Sequence, residues 1–246
     1  MIRHRPLGSG HPFTPDTEQR WPVVPVAGEP VRLGVRATGG VTAVRAEVAT
    51  AGSTQTHPLA PVARSSRGQA VDGGHLASAQ ARLARRPAGW QVEFPAPEGT
   101  FRYRFVASGP DGEQATRWFT GRSAAWRPAS DDLVALDGTA VGVVPGSVEV
   151  LDDGDRLHRV RFALPLATGE RVAGFGERFD TLDHRGLAVD SVLFEQYKSQ
   201  GAHRRTYLPM PFAHVVGGAG WGLHVRTGRR VWFDVGASTP DRLGIR

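Results

Sequence analysis

Several kinds of residue and segment are missing from this chain of 246 residues, and each absence excludes a class of function. There is no Cys, which excludes disulfides, thiolate metal sites and cysteine nucleophiles. No stretch approaches the ~18 consecutive apolar residues of a transmembrane helix. The charged start is not followed by the apolar run that forms the centre of a secretory signal. The sequence therefore predicts a soluble, cytoplasmic protein with no membrane partner.

Lysine is almost as scarce, because Lys198 is the only Lys among 30 basic residues, and Asn is absent. The formal net charge is +6, a surplus that in other chains accompanies nucleic-acid binding. Here the arginines are scattered through strand-like segments, where alternate side chains face solvent. No zinc-finger or RNP-type pattern accompanies them. We interpret the charge as a solvated surface and predict no nucleic-acid partner.

Short strand-like segments, separated by turn residues, run through most of the chain. Phe101, Tyr103 and Phe105 alternate with Arg102 and Arg104, which is typical of a half-buried strand. Such spacing favours β-sandwiches, and strands do not alternate with long helices as they would in a βαβ sheet. We predict an all-β chain, a tandem β-sandwich. Its parts are an extended leader over residues 1–20, an immunoglobulin-like sandwich over residues 21–126 and a second sandwich over residues 132–246.

Four motifs in the second predicted sandwich are more specific. They are GFGERFDTLDHRG at residues 174–186, YLPMPF at 207–212, GWGLHVRT at 220–227 and VWFDVG at 231–236. The first places glycines where the chain turns out of a strand, and glycine adopts positive φ without strain. In this order and at this spacing, the four motifs resemble the N-terminal β-sandwich of glycoside hydrolase family 31.

The resemblance implies a galactose-mutarotase-like sandwich that packs on an eight-stranded β/α barrel. In that family the whole enzyme hydrolyses α-glucosides or α-xylosides with retention, and its nucleophile and acid/base lie in the barrel. Neither of those catalytic segments occurs here. We therefore expect no catalytic residue and no cofactor in this chain, and we expect it to end before the barrel. Its expected partners are the barrel and an α-linked oligosaccharide substrate; whether it is an enzyme alone stays open.

A polar loop over residues 194–205, FEQYKSQGAHRR, is the candidate substrate contact. Long loops on a rigid sandwich often carry function. In the resembling family, the loop at this place leans over the barrel mouth, which implies substrate-binding roles for Glu195, Gln196 and Lys198. Their carboxylate, amide and ammonium groups suit hydrogen bonds with sugar hydroxyls. A plain contact between domains is the alternative.

The carboxylates of the first motif have two competing interpretations. A retaining glycosidase needs two carboxylates roughly 5 Å apart, and Glu177, Asp180 and Asp183 are the local candidates. The glycines around them favour a structural turn instead, in which Glu177 and Arg178 pair with each other or with the backbone. We favour the structural interpretation.

Ring side chains offer weaker candidates. Three tryptophans would suit stacking on sugars, although aromatic residues in strands more often fill a core: Trp118, Trp221 and Trp232. Three histidines lack the spacing of a metal site, so no metal is predicted: His203, His214 and His224. Two functions of other classes remain open, a free-standing carbohydrate-binding module that uses exposed aromatic residues and a scaffold domain without a ligand.

Overall fold

The computed structural model describes residues 2–8, 16–63, 87–138, 141–193, 201 and 204–246. Nearly all regular elements in these ranges are β-strands, together with a 3₁₀ helix at Asp131–Leu133. The chain divides into two compact units, Met1–Ala125 and Trp126–Arg246. Each unit is a sandwich of two antiparallel sheets around its own hydrophobic core. The prediction of an all-β, tandem β-sandwich chain is confirmed.

The first unit contains a five-stranded sheet of order β1-β3-β7-β6, with β2 beside β3, and a second sheet of order β10-β8-β4-β5, with β9 beside β8. The strand bounds are β1 Ile2–Arg3, β2 Arg20–Trp21, β3 Pro30–Ala37, β4 Ala43–Ala49, β5 Thr54–Pro58, β6 Ala60–Ala63, β7 Pro87–Pro95, β8 Thr100–Gly109, β9 Gly112–Ala115 and β10 Phe119–Arg122. The described core takes side chains from both sheets.

Strand β8 shows why the first sandwich forms. Phe101, Tyr103 and Phe105 are at most 1% exposed, whereas Arg102 and Arg104 lie on the opposite face. Strand β4 pairs with β8 along its length, and its alternate apolar residues join the same core. The period of two in the sequence therefore gives one buried and one solvated face, as predicted.

The segment predicted as an extended leader takes a different form, because β1 and β2 both pair with β3. The His4 ring bonds to the carbonyl oxygen of Gly34 at 2.6 Å and to the Tyr103 hydroxyl at 2.9 Å. The buried Glu18 carboxylate forms an ion pair with Arg36 at 2.8 Å. Such long-range polar contacts leave no periodicity in the sequence, so the pattern does not reveal them.

Acidification should destabilise the first unit through His4. Burial lowers the pKa of the His4 imidazole from 6.5 to about 4. Between pH 6.5 and pH 4, His4 therefore binds a proton in the unfolded chain but not in the folded chain. For this reason the free energy of unfolding falls as the pH drops through this range, by roughly 3 kcal/mol in total. Thermal unfolding at a series of pH values should show a shallower fall for His4→Gln than for the wild type. Parallel curves would contradict this.

The second unit contains a six-stranded sheet of order β11-β12-β13-β19-β18-β15 and a three-stranded sheet of order β14-β16-β17. The strand bounds are β11 Ala125–Pro128, β12 Glu149–Asp152, β13 Leu157–Pro165, β14 Arg171–Gly176, β15 Leu187–Ser191, β16 Pro209–Val216, β17 Trp221–His224, β18 Val231–Val235 and β19 Arg242–Ile245. The described core lies between the two sheets and includes Phe175, Phe233 and Leu243.

The second unit begins earlier than the sequence predicts, at Trp126 rather than at residue 132. Of the residues between the two predicted sandwiches, Arg127 and Pro128 belong to strand β11, which forms an edge of the six-stranded sheet, and Asp131 begins the 3₁₀ helix. An edge strand accommodates Pro128 because its outer backbone groups need no partner strand.

Among the residues that the structure describes, no helix is long and apolar enough to cross a lipid bilayer.

Candidate functional site

The GFG segment at the end of β14 requires glycine for two reasons. Gly174, Phe175 and Gly176 all have positive φ, of 125°, 64° and 92°. A Cβ atom on Gly176 would lie 1.8 Å from the Leu208 carbonyl oxygen, so the pairing of β14 with β16 leaves no space for a side chain. The same bend turns the Phe175 ring into the core, against Phe233 at a centroid distance of 4.7 Å. The motif thus makes a fixed bend and directs the following residues to the surface.

Arg178, which follows this bend, forms hydrogen bonds with the segments on both sides of the polar loop. Its guanidinium donates hydrogen bonds to three carbonyl oxygens, those of Phe175 at 3.2 Å, Asp190 at 3.2 Å and Arg204 at 2.9 Å. Burial lowers the pKa of Arg178 below its ordinary value, while the nearby Asp180 and Asp190 act in the opposite direction. Arg178 is therefore bonded to backbone at a bend, as the structural interpretation predicts.

The two residues that flank the polar loop lie next to each other. Leu193 and Thr206 form an isolated β-bridge, and the buried Thr206 hydroxyl accepts a hydrogen bond from the backbone N–H of Leu208 at 3.1 Å. The three substrate-binding candidates, Glu195, Gln196 and Lys198, lie outside the described residues. The structure thus describes the closed base of the loop, and the roles of the three side chains stay predictions.

Exposed apolar side chains surround the loop base. Phe179, Leu193, Leu208 and Met210 are between 46% and 61% exposed, and we call these four residues the loop-base patch. They belong to one region because the Glu177 N–H bonds to the Leu208 carbonyl at 3.2 Å, beside the β-bridge that ends the loop. Single exposed apolar residues are ordinary, but a group of this kind marks a contact surface.

Asp183 is held by structural contacts. Its carboxylate accepts hydrogen bonds from the N–H groups of Val172 and Arg185 and pairs with Arg171 at 3.0 Å. Burial raises the pKa of Asp183, but these contacts outweigh it and leave the pKa below its ordinary value. A carboxylate held ionised in this way does not serve as a proton donor at neutral pH. This agrees with the structural interpretation of the turn.

The tryptophans divide between the two interpretations. Trp221 packs against the core of the second unit, as expected for a strand aromatic. The core interpretation is wrong for Trp118 and Trp232, which lie among arginine side chains; the Arg104 guanidinium is 4.8 Å from the Trp118 ring centroid, and that of Arg230 is 4.6 Å from Trp232. At these two positions the tryptophan rings contact guanidinium groups instead of the core. The surplus of Arg over Lys is the only sequence signal for such contacts.

The histidines of strands β16 and β17 lie at the surface. His214 and His224 are exposed, and each packs its ring against Phe212. Within the described ranges, no three His, Asp or Glu side chains are grouped so that they could hold a metal ion. His203 is outside the described residues.

Comparison with known proteins places both units. Residues 8–107 match the family model of the 1,3-alpha-isomaltosidase-like N-terminal domain. Residues 130–234 match that of the glycosyl hydrolase 31 N-terminal galactose mutarotase-like domain.

Individual relatives agree with these matches. A 1,3-alpha-isomaltosidase from Kribbella flavida is 45% identical over 238 residues, which are 95% of this chain and 32% of the relative. The cycloalternan-degrading enzyme from Trueperella pyogenes, in complex with cycloalternan, is 40% identical with a TM-score of 0.83, and the match covers 100% of this chain and 34% of that one. The cycloalternan-forming enzyme from Listeria monocytogenes, at 17% identity and a TM-score of 0.70, shares the fold.

This chain spans about a third of the length of the relatives that it matches. The chain belongs to glycosyl hydrolase family 31 and comprises N-terminal β-sandwich domains of that family.

Proposed function

We propose that this chain is the non-catalytic N-terminal part of a retaining α-glycosidase that acts on α-linked gluco-oligosaccharides. In this role the second unit packs on a catalytic barrel and supplies the loop of residues 194–205 to the substrate site. Glu195, Gln196 and Lys198 then bind sugar hydroxyls, while the barrel provides the nucleophile and the acid/base. Substrates of the isomaltose and cycloalternan type fit this proposal, because the cycloalternan-degrading enzyme from Trueperella pyogenes has been seen in complex with each of them, at 37% and 40% identity to this chain.

The main support for this proposal is that nearly the whole chain is similar to enzymes about three times as long. The 45% identity extends over 95% of this chain, so it includes both units and not only the better-known second domain. This supports the enzyme-part hypothesis over a free-standing carbohydrate-binding module or a scaffold domain.

The loop-base patch supports the proposed packing. Phe179 is 60% exposed and Leu208 61% exposed, and both lie next to the base of the loop. Burial of apolar surface is favourable by about 25 cal/mol per Å², so a covering barrel would stabilise both partners. The patch lies beside the base of the loop. A barrel that covers the patch would therefore also lie close to the loop, and the loop could reach the substrate site of the barrel.

The isolated chain should release no product from isomaltose or from an aryl α-glucoside. Proton transfer and nucleophilic attack supply much of the rate enhancement, and this chain contains neither of the family's catalytic segments. Product release is measured in parallel for this chain and for a longer family 31 enzyme that includes a barrel. Turnover by the isolated chain that disappears in Glu177→Gln or Asp180→Asn would overturn the proposal.

A further inference from the structure

The outward face of the six-stranded sheet contains a cavity of about 630 Å³. Its floor arises because four strands place mostly small residues side by side: Ala163 pairs with Gly244, Gly244 with Asp234, and Asp234 with Ala188. These side chains leave a hollow in the middle of the sheet face. The volume lies within the ~300–1,000 Å³ that is usual for small-molecule sites.

One side of the cavity is a row of large side chains, which lie side by side on neighbouring strands next to the small residues of the floor. Trp232 pairs with Asp190 on one side, and it exchanges two backbone hydrogen bonds with Arg246 on the other. Glu149 pairs with Arg161, and the two side chains form an ion pair at 2.7 Å. This row stands above the small floor and forms a wall.

The wall is held rigid by its own contacts. Guanidinium groups lie 4.6 to 5.1 Å from the Trp232 ring centroid, on Arg159, Arg230 and Arg246. Arg230 also donates to both oxygens of Asp190. A wall whose side chains are already fixed loses little conformational freedom when a ligand binds.

The charges of the lining are balanced. Three arginines and three carboxylates line the cavity among the described residues: Arg161, Arg242, Arg246, Glu149, Asp190 and Asp234. An anion would be opposed by the carboxylates, and a cation by the arginines. Hydroxyl groups from Ser147, Ser238 and Thr239 add further donors and acceptors. The surface therefore suits a neutral ligand with many hydroxyl groups.

We propose that this cavity binds a neutral oligosaccharide. The carboxylates accept hydrogen bonds from sugar hydroxyls, and Arg242, whose exposed side chain makes no ion pair among the described residues, donates to them. The proposal concerns binding by the second unit and does not depend on a catalytic barrel. A negative result in the sugar-binding experiment would therefore leave the proposed function untouched, and turnover by the isolated chain would leave the binding proposal untouched.

Isothermal titration of the 246-residue chain with isomaltose and with nigerose tests the proposal. We expect saturable binding of at least one of the two sugars and none of inorganic phosphate. Ala188→Phe should fill the cavity from its floor and weaken binding by at least about tenfold. Ala188 is exposed, so its replacement leaves the core intact. Ala43→Phe is the matched control, because Ala43 is an exposed strand residue of the first unit and should leave binding unchanged.

Arg242→Ala is the second variant, since it removes only an exposed side chain and should also weaken binding by about tenfold. Absence of saturable binding by both sugars overturns the proposal. So does binding of phosphate in their place, which would indicate an anion site. Sugar binding that survives both Ala188→Phe and Arg242→Ala would place the sugar elsewhere and overturns it as well.

Discussion

Gly176→Ala should lower the free energy of unfolding of the second unit by roughly 4 kcal/mol, a loss at the upper end of what single substitutions cause. Two effects add at this position. The residue has a φ of 92°, which an L side chain rarely adopts, and the new Cβ would lie 1.8 Å from the Leu208 carbonyl oxygen and 2.8 Å from the Met210 nitrogen. Both are backbone atoms, Met210 in β16 and Leu208 directly before it, so relief requires separation of β14 from the start of β16.

Gly186→Ala provides the matched control for this prediction. Gly186 has a similar φ of 81°, but a Cβ there meets nothing within 4 Å. Its replacement should therefore cost only the backbone strain, about 1–2 kcal/mol. Denaturant unfolding of both variants, followed by tryptophan fluorescence, separates the two effects. Equal losses would show that the close approach to Leu208 is relieved at no cost, and that the motif needs glycine for its conformation alone.

The glycine motif could be recognised from sequence because its cause is local. The pattern of Gly174 and Gly176 at the end of a strand predicts a turn, and the structure adds the close approach of Leu208. The function of Arg178 was only partly predictable. Sequence indicated a bond to backbone, but the acceptors on Asp190 and Arg204 lie 12 and 26 residues away and depend on the tertiary fold.

Other features escaped prediction because they depend on register between distant strands. The cavity floor requires Ala163, Ala188 and Gly244 to lie side by side, and no periodicity within one strand reveals that. The position of Trp232 has a local cause instead, the alternation of faces within its own strand. An aromatic residue in a strand is expected in the core, yet Val231 and Phe233 occupy the buried face, so Trp232 must lie on the other face.

Replacement of the loop side chains should reduce catalysis without loss of stability. In the full-length enzyme to which we propose that this chain belongs, Glu195→Ala and Lys198→Ala should each remove hydrogen bonds to substrate. A lost hydrogen bond to a charged group costs about 1.5–3 kcal/mol, which is roughly ten- to a hundredfold in kcat/KM. The melting temperature should change little, because loop side chains contribute little to a packed core.

The loop prediction can be separated from a general effect of charge. Glu98→Ala and Arg229→Ala each remove an exposed charge, the first in the first unit and the second in the turn before β18, and both should leave kcat/KM unchanged. Steady-state kinetics on isomaltose, with melting temperatures measured alongside, compare the two pairs. If the loop variants keep the wild-type kcat/KM while the closed base at Leu193 and Thr206 stays intact, the loop is a contact between domains. The proposed substrate roles of Glu195 and Lys198 are then wrong, although the packing of the second unit on a barrel is not.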